Sequence, residues 1–240
     1  MAQKIYMWIE DRKEKSGYVF WKALMDSLFP DIIVESKKNN SELVKAVNAL
    51  SGKETDMYIV AYDNSFDNLY LYQEQKRLKQ AVAIKKNVKL LDIICFEYIL
   101  LEFDRLIEWI YAPEDEFRVK RAGTISARNS LIKALKAGNM DYKLLREVVE
   151  YDRSLVSHNI EQLAAKLLFD LTRNTGFEVS KGKLGECWIQ SCCEWENRQT
   201  NDLCGLEQQL LSKEEKMKSI FQGTSLCEKF FKIGLEVPVC

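Results

Sequence analysis

The sequence predicts an α/β fold, in which a parallel four-stranded sheet of Rossmann-like type has helices on both faces and precedes a mainly helical C-terminal region. β-prone and helical segments alternate over the first half of the chain, an order that predicts a parallel sheet. The β-prone segments are apolar runs rather than alternating patterns, which is typical of strands buried on both faces. After Pro113 no clear strand pattern recurs, apart from a short run at 177–180.

Each predicted strand is followed by a segment with apolar residues at helical spacing. We predict strands at 4–9, 31–36, 57–62 and 87–93, and helices at 16–29, 40–52, 69–83 and 95–112. Ser16 and Asn40 or Ser41 are candidate N-caps for the first two helices, and Gly52 ends the second. Parallel sheets of this kind bind ligands beyond the carboxyl ends of their strands.

In the C-terminal half, strand-like segments no longer alternate with helical ones. We therefore place a domain boundary at Pro113. We therefore predict an α/β domain at 1–112 and a helical region at 113–240, with helices at 114–138, 141–155, 157–173 and near 212–231. A cysteine-rich segment, 187–204, lies between the last two of these helices.

Composition excludes several classes of protein. Of the 240 residues 47% are hydrophobic and 30% charged, enough for a large core, and the net charge is −1. No apolar run reaches the ~18 residues that cross a bilayer, and the charged N-terminus is not a signal peptide, so we expect a cytosolic protein without membrane contact. His158 is the single histidine, so any triad chemistry would depend on one residue of a predicted helix.

Acidic residues follow three of the four predicted strands. They are Glu10, Asp11, Asp63, Asp67, Asp92 and Glu97. In a parallel sheet these residues emerge at one edge, where uncompensated carboxylates repel one another and a cation removes that cost. Oxygen ligands suit Mg²⁺ or Mn²⁺. Strand ends also meet solvent, so surface turns are the alternative; the stretch YDNSFDN (62–68) contains ordinary turn formers.

The second strand is the exception, because it leads to Lys37 and Lys38. A lysine beside a metal-carboxylate cluster neutralises a phosphate or a leaving oxygen. We therefore include Lys37 among the candidate catalytic residues.

Three stretches resemble a Toprim domain, the metal-binding catalytic module of topoisomerases, primases and a group of bacterial nucleases. They are WIEDRKEKSGYVFWKALM, IVAYDNSFDN and LLDIICFEYIL, and the resemblance covers about residues 4–112. It is strongest to the Toprim-like nucleases that accompany ABC-type ATPases in anti-phage defence. The resemblance implies metal ligands at Glu10, Asp63, Asp67 and Glu97, two-metal phosphodiester hydrolysis of DNA, RNA or tRNA, and a partner ATPase.

The sequence departs from the Toprim pattern at two positions. The usual Asp-x-Asp after the third strand has Ser65 at its second acidic position, with Asp67 two residues further on. Asp11 stands where these families have a glycine after the glutamate. An inactive Toprim-like subunit of a larger complex is therefore the alternative function. A phosphoacceptor domain is disfavoured because no fifth strand with a lysine is found.

Residues 117–146 form a basic helical segment with eight cationic residues, one acid and a local charge of +7. Such segments attract phosphate backbones. The candidate nucleic-acid-binding residues are Arg118, Lys120, Arg121 and Arg128. A solvated helix face and an acidic partner protein are the alternatives, and a homo-oligomer is compatible with the sequence.

Four of the seven cysteines lie close together, at Cys187, Cys192, Cys193 and Cys204. Four thiols are enough for a tetrahedral structural zinc site, although this spacing is not a standard zinc motif. Burial as small core residues is the alternative. The odd number of cysteines in a cytosolic chain argues against a disulfide framework.

Overall fold

A computed structural model describes residues 3–51, 55–64, 69–110, 115–141, 143, 145, 160–172 and 211–236. Its four strands are β1 (Ile5–Ile9), β2 (Ile32–Ser36), β3 (Met57–Asp63) and β4 (Val88–Ile93). They form one sheet in the order β2-β1-β3-β4, and every pair is parallel. The predicted fold class is confirmed, because long apolar strands alternate with helices as the sequence pattern indicates.

The register of the sheet brings the ends of its strands to one edge. Trp8 of β1 lies opposite Val60 of β3, and Asp63 at the end of β3 lies opposite Ile93 of β4. β1 and β3 are the two central strands. The residues that follow β1, β3 and β4 therefore leave the sheet side by side.

Helices cover both faces of the sheet. The described helices are α1 (Ser16–Leu28), α2 (Asn40–Ala49), α3 (Leu69–Ala83), α4 (Phe96–Glu102), α5 (Asp104–Ile110), α6 (Asp115–Lys136), α7 (Ile160–Thr172), α8 (Lys213–Phe221) and α9 (Ser225–Lys232). α2 and α3 pack on one face, where Leu43, Val47, Val60 and Leu78 are fully buried. The other helices form a larger core on the opposite face.

The larger core is continuous across residue 113. Phe20 and Leu24 of α1 are buried in the same cluster as Leu167 of α7 and Phe230 of α9. The division at 113 stays a prediction about the sequence, and within the described residues the helices on either side of it share one core. None of the described helices combines the length and the hydropathy that crossing a membrane requires.

The predicted helix at 95–112 is divided in two at Phe103. Arg128 of α6, which is 6% exposed, donates from Nε to the Leu101 carbonyl at 2.7 Å. Its guanidinium also contacts Asp104, the first residue of α5, at 2.5 Å. A buried guanidinium thus binds the Leu101 carbonyl near the end of α4 and the first residue of α5, which favours the break.

The buried position of Arg128 disagrees with the prediction that this residue contacts nucleic acid. The side chain is buried and its donors are committed to Leu101, Asp104 and Asn129. A phosphate contact would leave the ends of α4 and α5 without their partner, so Arg128 serves the fold.

The predicted helix near 212–231 is also two helices. Gly223 has φ 72°, a left-handed conformation that ends α8 at little steric cost. The Thr224 side chain then accepts from the Cys227 amide at 3.2 Å and begins α9.

Candidate active site at the carboxyl edge of the sheet

A cavity of about 470 Å³ opens at the carboxyl edge of the sheet. Its lining contains carboxylates from four segments of the chain, together with cations and a glycine. The lining residues are Glu10, Asp11, Arg12, Glu14, Lys15, Gly17, Lys38, Asn39, Asp63, Phe96, Glu97 and Glu161. The cavity therefore collects the residues that follow β1, β2, β3 and β4, as expected for a parallel sheet.

Glu10 and Asp63 form the centre of this cavity. Their side chains are joined by a hydrogen bond, so one of the two carboxyl groups is protonated. Burial first, and then the nearby charges of Asp11, Glu161 and Glu97, raise the pKa of Glu10 to about 7 against the lowering effect of the hydrogen bond. Burial and the Glu10 charge hold the pKa of Asp63 well above its usual range. The pair titrates as one unit that retains a proton near neutral pH.

Glu97 and Glu161 surround the pair with further negative charge. Glu97, 8% exposed, lies in the first turn of α4. Glu161 lies in the first turn of α7, in the C-terminal half. It lines the cavity although more than half of the chain separates it from Glu10. Our sequence reasoning missed Glu161, because an acid in the first turn of a helix is common and gives no sign of what it faces.

Asp11 is held against the first turn of α1. A Cβ atom added at Gly17 would lie 1.9 Å from Asp11 Oδ2 and 2.8 Å from its Cγ. Only glycine leaves room for this carboxylate. Asp11, the acid that follows Glu10, therefore packs on a glycine six residues further along the chain.

Cations lie at the rim of the cavity. Arg12, Lys15 and Lys38 line it and are exposed to solvent. Lys38 has φ 72°, a conformation uncommon for a residue with a side chain. The Asn39 side chain accepts from the Glu42 amide at 2.9 Å and begins α2. The sharp turn after β2 thus places one lysine at the cavity.

Lys37, which we predicted to be catalytic, occupies a different position. Its Nζ contacts Glu35 Oε2 at 2.9 Å and lies 4.0 Å from the centre of the Trp8 ring. The Trp8 indole also donates to Glu35 at 3.0 Å. Lys37 is not among the residues that line the described cavity, and the cation beside the carboxylates is its neighbour, Lys38.

Asp92 also lies outside the lining of the described cavity. Gln75 of α3 donates to its Oδ1 at 3.2 Å, and Lys79 lies 3.7 Å from its Oδ2.

Cys95, at the start of α4, is fully buried, and burial together with Glu97 and Asp63 raises the pKa of its thiol. Its thiol is therefore neutral, in the layer behind the carboxylates.

The donor atoms of the cavity suit a hard divalent cation, because the carboxylates of Glu10, Asp63 and Glu97 offer only oxygen. A cation and the shared proton are alternative ways to reduce repulsion in the pair. Among the described residues, no three acidic, histidine or cysteine side chains are already arranged to hold a metal ion. Binding would therefore require loss of the proton and a closer approach of the carboxylates.

Several predicted site residues lie outside what the structure describes. Asp67 and the cysteines of the predicted zinc site, Cys187, Cys192, Cys193 and Cys204, belong to segments that are not described. The backbone of Arg118, Lys120 and Arg121 lies in α6, but their side chains are outside the described part. These predictions stay open.

Comparisons of the chain with protein-family models, with curated proteins and with solved structures found no match. The resemblance to Toprim nucleases therefore rests on the motifs in the sequence.

Proposed function

We propose that the chain is a metal-dependent nuclease that hydrolyses phosphodiester bonds in DNA, RNA or tRNA. The observation that carries the proposal is the convergence of Glu10, Asp63, Glu97 and Glu161 on one cavity with cations at its rim. A partly buried group of like charges is costly unless a cation or a shared proton reduces the repulsion. Exposed cations beside that group suit an anionic substrate.

Each set of residues has a role in this proposal. Glu10 and Asp63, with Glu97, would hold Mg²⁺ or Mn²⁺, which when bound supplies a nucleophilic water and stabilises the leaving oxygen. Lys38, Arg12 and Lys15 would attract and orient the phosphate backbone at the rim. Asp11, packed on Gly17, supports the loop that carries Glu10.

The test is cleavage of a panel of DNA, RNA and tRNA in Mg²⁺ or Mn²⁺ by wild type, Glu10→Gln and Asp63→Asn. Asp26→Asn is the matched control, because Asp26 is exposed on α1 and pairs with Lys22. Metal binding is measured separately by calorimetry. We expect binding and cleavage in wild type and the control, and loss of both in the two cavity variants. Equal cleavage by all four proteins would refute the assignment.

An inactive Toprim-like subunit is the second candidate. It is favoured by the observation that the described residues contain no ready group of three metal donors. The Toprim resemblance implies that a partner ATPase controls the protein in cytosolic anti-phage defence. The cleavage assay is therefore repeated with that partner, and failure to bind metal or cleave in its presence would favour the inactive subunit.

A further inference from the structure

The exposed side of α3 carries aromatic and cationic side chains that the function proposed above does not use. We call this the α3 surface: Tyr70, Tyr72, Lys76, Arg77 and Lys79 on the helix, with Lys86 three residues after its end. Tyr70 is 60% exposed and Tyr72 is 53% exposed. They lie away from Leu78 and Ala81, which α3 buries against the sheet.

Helical spacing arranges these side chains in two stripes. Tyr72, Lys76 and Lys79 stand at i, i+4 and i+7, so they share one stripe of α3. Tyr70 and Arg77, seven residues apart, share the other, which borders α2. Each stripe therefore offers an aromatic ring near the start of the helix and cations further along.

The start of α3 adjoins the carboxylate cavity. The hydroxyl groups of Tyr70 and Ser41 are hydrogen-bonded at 3.1 Å. Ser41 lies two residues after Asn39, which lines the cavity and begins α2. The Tyr70 ring is thus fixed next to the rim, and the α3 surface extends away from the cavity.

The charge of this part of the chain is strongly positive. Residues 69–86 contain five cations and one acid, a local charge of +4 in a chain with a net charge of −1. The acid is Glu74, which is 7% exposed and pairs with Arg77 at 2.8 Å. Lys79 also lies 3.7 Å from Asp92. Cations still outnumber acids on the α3 surface, so a negatively charged partner suits it.

We propose that the α3 surface binds single-stranded nucleic acid and guides it into the carboxylate cavity. Unpaired bases stack on Tyr70 and Tyr72, and Lys76, Lys79, Arg77 and Lys86 contact the phosphates. This binding proposal rests on the proposed nuclease function, and it specifies that the substrate is single-stranded. Unpaired bases are required because a duplex keeps its base faces stacked, whereas aromatic rings beside cations suit a single strand.

The binding test uses the full chain in EDTA with labelled oligo-dT, oligo-U and a DNA duplex. The fluorescence anisotropy of each labelled nucleic acid measures its binding. We expect wild type to bind the single strands more tightly than the duplex. Tyr70→Ala/Tyr72→Ala weakens binding about tenfold or more, the loss expected for one or two stacked bases. Tyr70→Phe keeps the ring, loses only the bond to Ser41 and binds like wild type.

The cations are tested through the salt dependence of binding. Lys76→Ala/Lys79→Ala/Lys86→Ala lowers the slope of log K against log salt by about 2, since each phosphate contact to a single strand contributes about 0.7. The matched control is Lys22→Ala/Lys218→Ala/Lys232→Ala. It removes the same charge from α1, α8 and α9, on the other face of the sheet. It leaves the slope nearly unchanged.

The outcomes separate this proposal from the nuclease. Binding that depends on the α3 surface supports it even if no cleavage is found, because the assay contains no divalent metal. No binding, preference for the duplex, or equal binding by the α3 and control variants overturns it, even if the protein cleaves. An acidic protein partner is then the explanation for the surface.

Discussion

Two glutamates, the half-buried Glu10 and the buried Glu102, have opposite surroundings. Burial raises the pKa of both. Glu102, at the end of α4, is 6% exposed and accepts a hydrogen bond from the Ser225 hydroxyl, with Tyr98, Lys136 and Lys229 also lowering its pKa. The charged groups that most strongly affect the pKa of Glu10 are carboxylates. The difference shows how to recognise a buried acid that serves the fold and one that is available to a ligand.

The largest effect is expected from a substitution in the Glu10–Asp63 pair. Asp63→Asn puts a neutral amide in place of a carboxyl group whose raised pKa favours its protonated form, and it removes one of the proposed metal ligands. We expect cleavage to fall about 10³-fold while the free energy of unfolding at pH 8 stays the same or rises. Activity assays and urea denaturation measure the two effects. A clear loss of stability would mean that the pair serves the fold.

Removing Glu102 should have the reverse effect. Glu102→Ala leaves Lys229 partly buried without one of its nearby charges, and Ser225 without its acceptor. We expect the free energy of unfolding to fall by about 3 kcal/mol, and activity per folded molecule to be retained. Urea denaturation with activity corrected for folded fraction gives both values. An inactive but stable variant would contradict the distinction.

The free energy of unfolding should also depend on pH through Glu10. Because the pKa of Glu10 is raised from 4.5 to about 7, the folded state binds more protons than the unfolded state between these values. The stability that protonated Glu10 contributes is full below pH 4.5 and is lost as pH rises through 7. We expect a decrease of about 3 kcal/mol.

Denaturation curves from pH 4 to 8 measure this decrease, and Glu10→Gln is the control. The amide does not titrate, so the decrease should be smaller in the variant. Identical pH profiles for both proteins would show that Glu10 is not shielded from water.

The smallest expected effect concerns the packing of Asp11. Gly17→Ala forces the Asp11 carboxylate to move, because the new methyl group would lie 1.9 Å from its Oδ2. We expect a loss of about 1–2 kcal/mol in unfolding free energy and weaker metal binding. Gly123→Ala is the matched control, since a Cβ there meets nothing within 4 Å. It should be neutral or stabilising, by up to about 1 kcal/mol.

The fold could be predicted because its signals are local. Apolar runs such as Tyr58–Tyr62 mark strands that are buried on both faces, and helical spacing marks the segments between them. The same pattern predicted that Glu10, Asp63 and Glu97 would meet at one edge, since parallel strands end together. That part of the site follows from topology alone.

The rest of the site depends on packing that spacing does not encode. Glu161 reaches the cavity because α7 packs against α4. Lys38 rather than Lys37 lines the cavity because the turn after β2 is left-handed at Lys38. Arg128 lies in a basic segment but is buried between α4 and α5. A local charge count does not give the direction in which each side chain points.

The position of Glu161 has a consequence for how the protein is made. A ribosome releases the chain from its N-terminus, so the four strands and their acidic ends emerge before residue 161 exists. At ordinary rates of translation the interval is several seconds. During that time the nascent sheet carries Glu10 and Asp63, but the wall that α7 provides is still missing. The cavity is therefore completed late in biosynthesis, and the nascent chain passes through a stage in which the site is incomplete.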